Sequence, residues 1–164
     1  MVSRVADVMH SPVVSLSVHA RMPEIERVFG TSGVSGCPVI DDDGHVRGVL
    51  SRGDIIRRLC VEHAQAAVAS DYYRDPGGVG ICLADGQSFE QIAASAGISA
   101  DRLRADQLMS PEVVSVAPDE TLTAAASLMV ERGLHRLPVI ADGRLLGVIS
   151  TFDVTREVAR GSAP

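Results

Sequence analysis

The chemistry available to this sequence is concentrated in a pair of repeated hydroxyl–carboxylate spacings. Ser51 and Asp54 close the stretch Gly48-Val49-Leu50-Ser51-Arg52-Gly53-Asp54, and Ser150 and Asp153 close Gly147-Val148-Ile149-Ser150-Thr151-Phe152-Asp153. An aliphatic run precedes each pair and a helical pattern follows it, so serine and aspartate stand at the mouth of a strand-to-helix turn. A carboxylate there can accept hydrogen bonds from both hydroxyls of a ribose, the device of dinucleotide-binding folds. The N–H groups of the helix start can meet phosphate oxygens, helped by the helix dipole. The same spacing is also a helix capping box, in which the side chains merely satisfy backbone N–H groups. The two readings are compatible, because a rigid cap holds its carboxylate in place.

These pairs belong to a longer duplication. Met9-His10-Ser11-Pro12-Val13-Val14-Ser15-Leu16 returns as Met109-Ser110-Pro111-Glu112-Val113-Val114-Ser115-Val116, and Gly36-Cys37-Pro38-Val39-Ile40 returns as Arg136-Leu137-Pro138-Val139-Ile140. Each copy holds roughly 55 residues, a size at which a lone core is marginal, so the copies are expected to bury apolar faces against each other. That arrangement leaves a cleft between similar halves.

The elements that must position the pairs can be read from pattern. Residues 3–9 suggest a short N-terminal helix. Val13–Leu16 is a strand. Met22, Ile25, Val28 and Phe29 fall at helical spacing, with Pro23 in the first turn and Gly33 as the stop. Strands Pro38–Ile40 and Val46–Leu50 flank the turn residues Asp41-Asp42-Asp43-Gly44, and a helix with Ile55, Ile56, Leu59, Cys60 and Ala67 follows. The second copy repeats the order: strand Val113–Val116, a helix with Leu122, Ala125, Ala126, Met129 and Val130 ending at Gly133, strands Pro138–Ala141 and Leu145–Ser150 about Asp142-Gly143, and a helix Thr151–Arg160. Each copy therefore reads strand, helix, strand, strand, helix. Residues 61–102 have no counterpart. They contain the breaker run Asp75-Pro76-Gly77-Gly78-Val79-Gly80 and a helix start at Ser88-Phe89-Glu90-Gln91, with a stop at Gly97.

Composition narrows the function classes. The chain has 164 residues, 46% of them hydrophobic, which supplies ample core. No apolar run reaches membrane-spanning length, and Met1–Asp7 has no signal-peptide core; the expected location is the cytoplasm. A net charge of −6 argues against a general nucleic-acid binder, and 3% aromatics leave few bases a stacking partner. Cys37, Cys60 and Cys82 are odd in number and irregularly spaced, which suits a reducing compartment better than a disulfide framework.

The duplicated units resemble cystathionine β-synthase (CBS) domains in tandem, the arrangement called a Bateman module. The match is best over Gly133-Leu134-His135-Arg136-Leu137-Pro138-Val139-Ile140 and Gly147 to Asp153, which are similar to repeats in the γ subunit of AMP-activated protein kinase. The resemblance implies an α+β fold: two β-α-β-β-α CBS units packed with pseudo-twofold symmetry, plus a helical insertion between them. It divides the chain into a first unit with its N-terminal helix (1–60), a linker (61–102) and a second unit (103–164). It also implies a regulatory ligand carrying adenosine, of the AMP, ADP or ATP class, or else NAD or S-adenosylmethionine, held in the cleft between the units. Carried over residue by residue, phosphate or ribose contacts fall to Ser51, Asp54, Ser150 and Asp153, and phosphate contacts to His135 and Arg136. Adenine or ribose contacts fall to Ser15, Ser17 and Ser115, and an apolar adenine wall to Val39 and Val139, which serve equally as sheet core. Where the second copy has His135-Arg136 the first has Ser35-Gly36, so the first cleft is expected to bind phosphate less well, with Arg52 as a substitute cation.

The expected activity is non-catalytic: signalling by a ligand-sensing module, through a homodimer built on its helices, to a separate target protein. One alternative is a ligand-free scaffold in which the repeats serve only dimerisation through faces such as Leu122, Ala125 and Met129. The other is a metal-dependent enzyme using the insertion, where Cys60, His63 and Cys82 offer ligands without a second close pair.

Overall fold

The computed structural model describes residues 3–60, 71–73, 91, 93, 94, 97, 99 and 102–161. The chain divides into two compact units. The first-repeat unit comprises Val14–Asp43 and Arg47–Val113; the second-repeat unit comprises Met1–Val13, Gly44–Val46 and Val114–Pro164.

In the first-repeat unit, β1 (Leu16–Ser17) runs parallel to β2 (Gly36–Ile40), with Leu16 opposite Val39, and β3 (Val46–Ser51) completes the order β1-β2-β3. Helix α2 (Met22–Ser32) joins β1 to β2. Its buried residues Met22, Ile25 and Phe29 lie three and four apart, the spacing of one helix face. Each such side chain contributes about 1.5–3 kcal/mol on burial. Gly33 ends the helix at φ 65°, a left-handed conformation that costs glycine little. Helix α3 (Arg52–Cys60) follows β3, and its Ile55 and Leu59 enter the same core as Leu16, Val39 and Leu50.

The second-repeat unit follows the same plan. Helix α5 (Leu122–Arg132) is capped by Thr121, whose side chain accepts from the Ala124 N–H, and ends at Gly133 with φ 64°. Strands β4 (Arg136–Ala141) and β5 (Arg144–Ser150) pair antiparallel about Asp142 and Gly143, at φ 50° and 76°. Positive φ at both turn residues is what a tight two-residue hairpin requires. Helix α6 (Thr151–Ala159) follows.

Two features depart from the sequence pattern. The strand expected at Val13–Leu16 is confined to Leu16–Ser17, and that at Val113–Val116 shrinks to one bridge between Val116 and Val139. The residues just upstream pair with other strands: His10 with Val148, and Ser110 with Val49. Pro12 and Pro111 follow, and proline has no N–H to extend a ladder.

The second departure is an exchange of leading segments. Helix α1 (Val5–Val8) joins the second-repeat unit, where Val5 N–H donates to the Glu120 carbonyl (2.9 Å) and Ala6 N–H to that of Pro118 (2.9 Å). Helix α4 (Ala105–Leu108) joins the first-repeat unit, with Ala105 N–H on the Ala20 carbonyl (2.8 Å). Two glycines admit these segments. A Cβ at Gly48 would lie 2.6 Å from the Ser110 carbonyl oxygen, and one at Gly147 would lie 2.6 Å from Met9 Sδ and 2.9 Å from the His10 carbonyl oxygen. The division at residues 60 and 103 follows the order of the repeats; compact packing assigns residues 1–13 to the opposite copy.

The expected helix start at Ser88–Glu90, the Gly77–Gly80 run, His63, Ala67 and Cys82 lie outside the described residues. Among the described residues, no helix is long and apolar enough to cross a membrane.

Candidate strand-to-helix binding turns

The two Ser-x-x-Asp turns are built alike. In the first-repeat unit, Ser51 donates to Asp54 Oδ2 from both N–H (2.9 Å) and Oγ (2.7 Å), and the Asp54 N–H returns a bond to Ser51 Oγ (3.1 Å). In the second-repeat unit, Ser150 donates to Asp153 Oδ2 from N–H (2.8 Å) and Oγ (2.6 Å), with the Asp153 N–H on Ser150 Oγ at 3.4 Å. Both are reciprocal helix caps. One turn further on, Arg57 donates to Asp54 Oδ1 and Arg156 to Asp153 Oδ1, each at 3.2 Å. The carboxylates are therefore buried and compensated, as a buried charge must be: Asp54 is 8% exposed and Asp153 2%.

Around this shared frame the turns differ. Arg136 opens β4 and stands opposite Ser150 in the β4–β5 register, and the exposed His135 precedes it. The His135 carbonyl accepts the Thr151 N–H at 3.0 Å, which fixes the strand start against the helix start. The Ser35 carbonyl does the same for the Arg52 N–H at 2.9 Å. Gly36, the counterpart of Arg136, is buried; a Cβ on it would lie 2.9 Å from the Leu50 carbonyl oxygen. The Arg52 guanidinium lies 5.5 Å from the centre of the Phe29 ring, and that of Arg156 4.9 Å from Phe152, which is 68% exposed.

The remaining expected residues are placed as follows. Ser15, Ser17 and Ser115 are half-buried, and Ser17 Oγ accepts the His19 N–H (3.2 Å). Val39 and Val139 are fully buried in the cores of their own units and offer no accessible surface. Leu122, Ala125 and Met129 are likewise core, and the large exposed apolar residues on α5 and α6 are Val130, Phe152 and Val158.

One residue of the second-repeat turn escaped the sequence reading. His10 Nε2 donates to Asp153 Oδ1 at 2.7 Å, across 143 positions. The only sequence signal was a mismatch between copies, histidine at 10 against serine at 110.

The model of the CBS domain family matches residues 5–60 and 105–160. The chain belongs to the CBS domain family. Each of the two matched CBS domains takes in one of the strand-to-helix turns described above. The uncharacterised protein MJ1225 of Methanocaldococcus jannaschii is 25% identical over 149 residues, covering 91% of this chain; the chain spans 40% of that relative's length. A crystal structure of CBSX2 (a protein of Arabidopsis thaliana) in complex with AMP is 22% identical, covers 98% of each chain and superposes with a TM-score of 0.66. The CBS domain pair of MJ0100 in complex with 5′-methylthioadenosine and S-adenosyl-L-methionine is 15% identical, covers 99% of this chain and all of that one, and gives a TM-score of 0.61.

Proposed function

We propose that this chain is a regulatory, non-catalytic module that binds an adenosine-containing nucleotide of the AMP, ADP or ATP class and signals its occupancy to a separate target protein in the cytoplasm. The observation that carries the reading is the second-repeat turn, where a rigid Ser150–Asp153 cap lies beside His135 and Arg136 at the start of β4. The forked guanidinium suits phosphate oxygens, and the capped carboxylate suits a sugar hydroxyl. The adenosine ligands of CBSX2 and MJ0100 support the chemical class. The first-repeat turn, with Gly36 in place of Arg136, is the weaker phosphate site, and Arg52 is its nearest cation by sequence.

The test is thermal shift of nucleotide-free protein against AMP, ADP, ATP, NAD, S-adenosylmethionine and adenosine. A ligand at 100 times its Kd adds about 2.7 kcal/mol, which is roughly 5–10 °C for a chain of this size. A response to adenine nucleotides supports the reading; no response to any adenosine compound refutes it.

A second reading, a scaffold that pairs with its own copy, is favoured by an apolar groove of about 410 Å³ between α5 and α6, lined by Ala126, Val130, Val154 and Val158. Light scattering on Val130→Glu tests it: wild type runs as a dimer and the variant as a monomer. A wild-type monomer refutes it.

A further inference from the structure

Asp153 has two carboxylate oxygens with different duties. Oδ2 is committed to the cap, where it takes both the N–H and the Oγ of Ser150. Oδ1 is therefore the oxygen that a sugar hydroxyl would use. It is held by Arg156 at 3.2 Å and by His10 at 2.7 Å. The arginine contact recurs at Asp54, through Arg57, so it belongs to the shared frame. The imidazole does not recur: the matching residue is Ser110, which repeats only the backbone pairing, to Val49.

We propose that His10 gates the second-repeat turn, its imidazole and a ligand's ribose competing for Asp153 Oδ1. This rests on the nucleotide reading above and adds its control element. The backbone at His10 is fixed: its N–H donates to the Val148 carbonyl at 2.9 Å and its carbonyl accepts the Val148 N–H at 3.0 Å. The side chain is 56% exposed, whereas the Asp153 side chain is 1% exposed. Rotation about the side-chain torsions therefore carries the imidazole into solvent while the backbone pairing stays intact. The carboxylate it leaves cannot remain buried with one acceptor site unfilled at no cost, and a ribose hydroxyl fills it. His10 is thus a positioning residue: it keeps Asp153 compensated when no sugar is bound, and every sugar-bearing ligand must displace it.

The experiment is calorimetric titration of the full chain, wild type, His10→Ala and His10→Gln, with adenosine, adenine and AMP. Adenosine lacks phosphate and adenine lacks the sugar, so their comparison isolates the ribose. His10→Ala removes the competitor and should tighten adenosine about tenfold, the size expected for releasing a hydrogen bond to a charged group. His10→Gln retains a side-chain N–H donor of similar reach and should restore wild-type affinity. Adenine should bind all of these proteins alike. In parallel, imidazole NMR signals assigned to His10 by their loss in His10→Ala should move on saturation with adenosine and stay fixed with adenine. A residue that merely supported the cap would give the opposite sign, with weaker adenosine binding in His10→Ala. That result, or unchanged adenosine affinity with AMP still bound, overturns the gate and leaves the nucleotide reading standing. Binding of neither adenosine nor AMP to any variant overturns both.

Discussion

Asp54 and Asp153 close the same cap with the same partners, yet the surroundings of the two turns are not interchangeable. The shared part is the reciprocal serine–aspartate bonding and the arginine one turn on. The differing part is Arg136 against Gly36, His10 against Ser110 and Thr151 against Arg52. What recurs in both copies is what either helix start needs in order to fold. What differs sits beside the cap and changes the charge and the hydrogen-bond donors a ligand would meet. The glycine is not a neutral gap, either. The backbone of Leu50 and Ser51 fills the space a side chain at 36 would need, so the first turn cannot be given the second turn's cation by one substitution.

The heaviest loss should come where the leading segments press on the strands at Gly48 and Gly147. Gly48→Ala and Gly147→Ala should each destabilise by about 1–3 kcal/mol through overpacking. Gly48→Ala should be the worse, because its closest obstacle is the Ser110 carbonyl at 2.6 Å, whereas Gly147 first meets the more yielding Met9 sulfur. Denaturant melts of both variants decide it; two silent alanines would contradict the close approach of the leading segments to these strands.

Removing the carboxylates compares the caps directly. Asp54→Ala should cost about 1–2 kcal/mol as the loss of an N-cap bond. Both changes also strip an arginine of its acceptor, Arg57 in one turn and Arg156 in the other; Asp153→Ala should cost more, because it takes the acceptor from His10 as well. Equal losses in paired melts would show that His10 adds nothing to the second cap.

The smallest effect concerns the strand residue after Gly36 or Arg136. It is Cys37 in one copy and Leu137 in the other, both buried. Burial pushes the Cys37 thiol up from 9.0 to about 12. In the unfolded chain it ionises near its ordinary value, so between those values the unfolded state holds fewer protons and stability falls as pH rises. From pH 8 to 10 this contributes a loss of about 1.5 kcal/mol. Cys37→Ala should flatten that part of the pH profile, while the same melts of Leu137→Ala keep the wild-type slope.

Much of the fold was legible because it is written in local signals. Helical spacing and a following glycine marked α2 and α5, and Asp142-Gly143 marked the second hairpin. The caps were legible too, since serine and aspartate three apart report a helix start whatever else they do. The exchange of leading segments was not legible. Nothing within residues 1–13 says which copy they pack against, and Gly48 and Gly147, equivalent glycines of the two copies, leave the same room for either segment. His10 was missed for the same reason, because its partner lies in the other repeat. Val39 and Val139 read alike as core or ligand wall, because a β-branched strand residue serves either purpose, and both are buried.

The most direct measurement is AMP binding by calorimetry to nucleotide-free wild type and Arg136→Ala. Wild type should bind saturably, and Arg136→Ala should bind about tenfold to a hundredfold more weakly as a charge-assisted phosphate contact is lost. Unchanged affinity in the variant, or no AMP binding to the wild-type chain, would contradict that expectation.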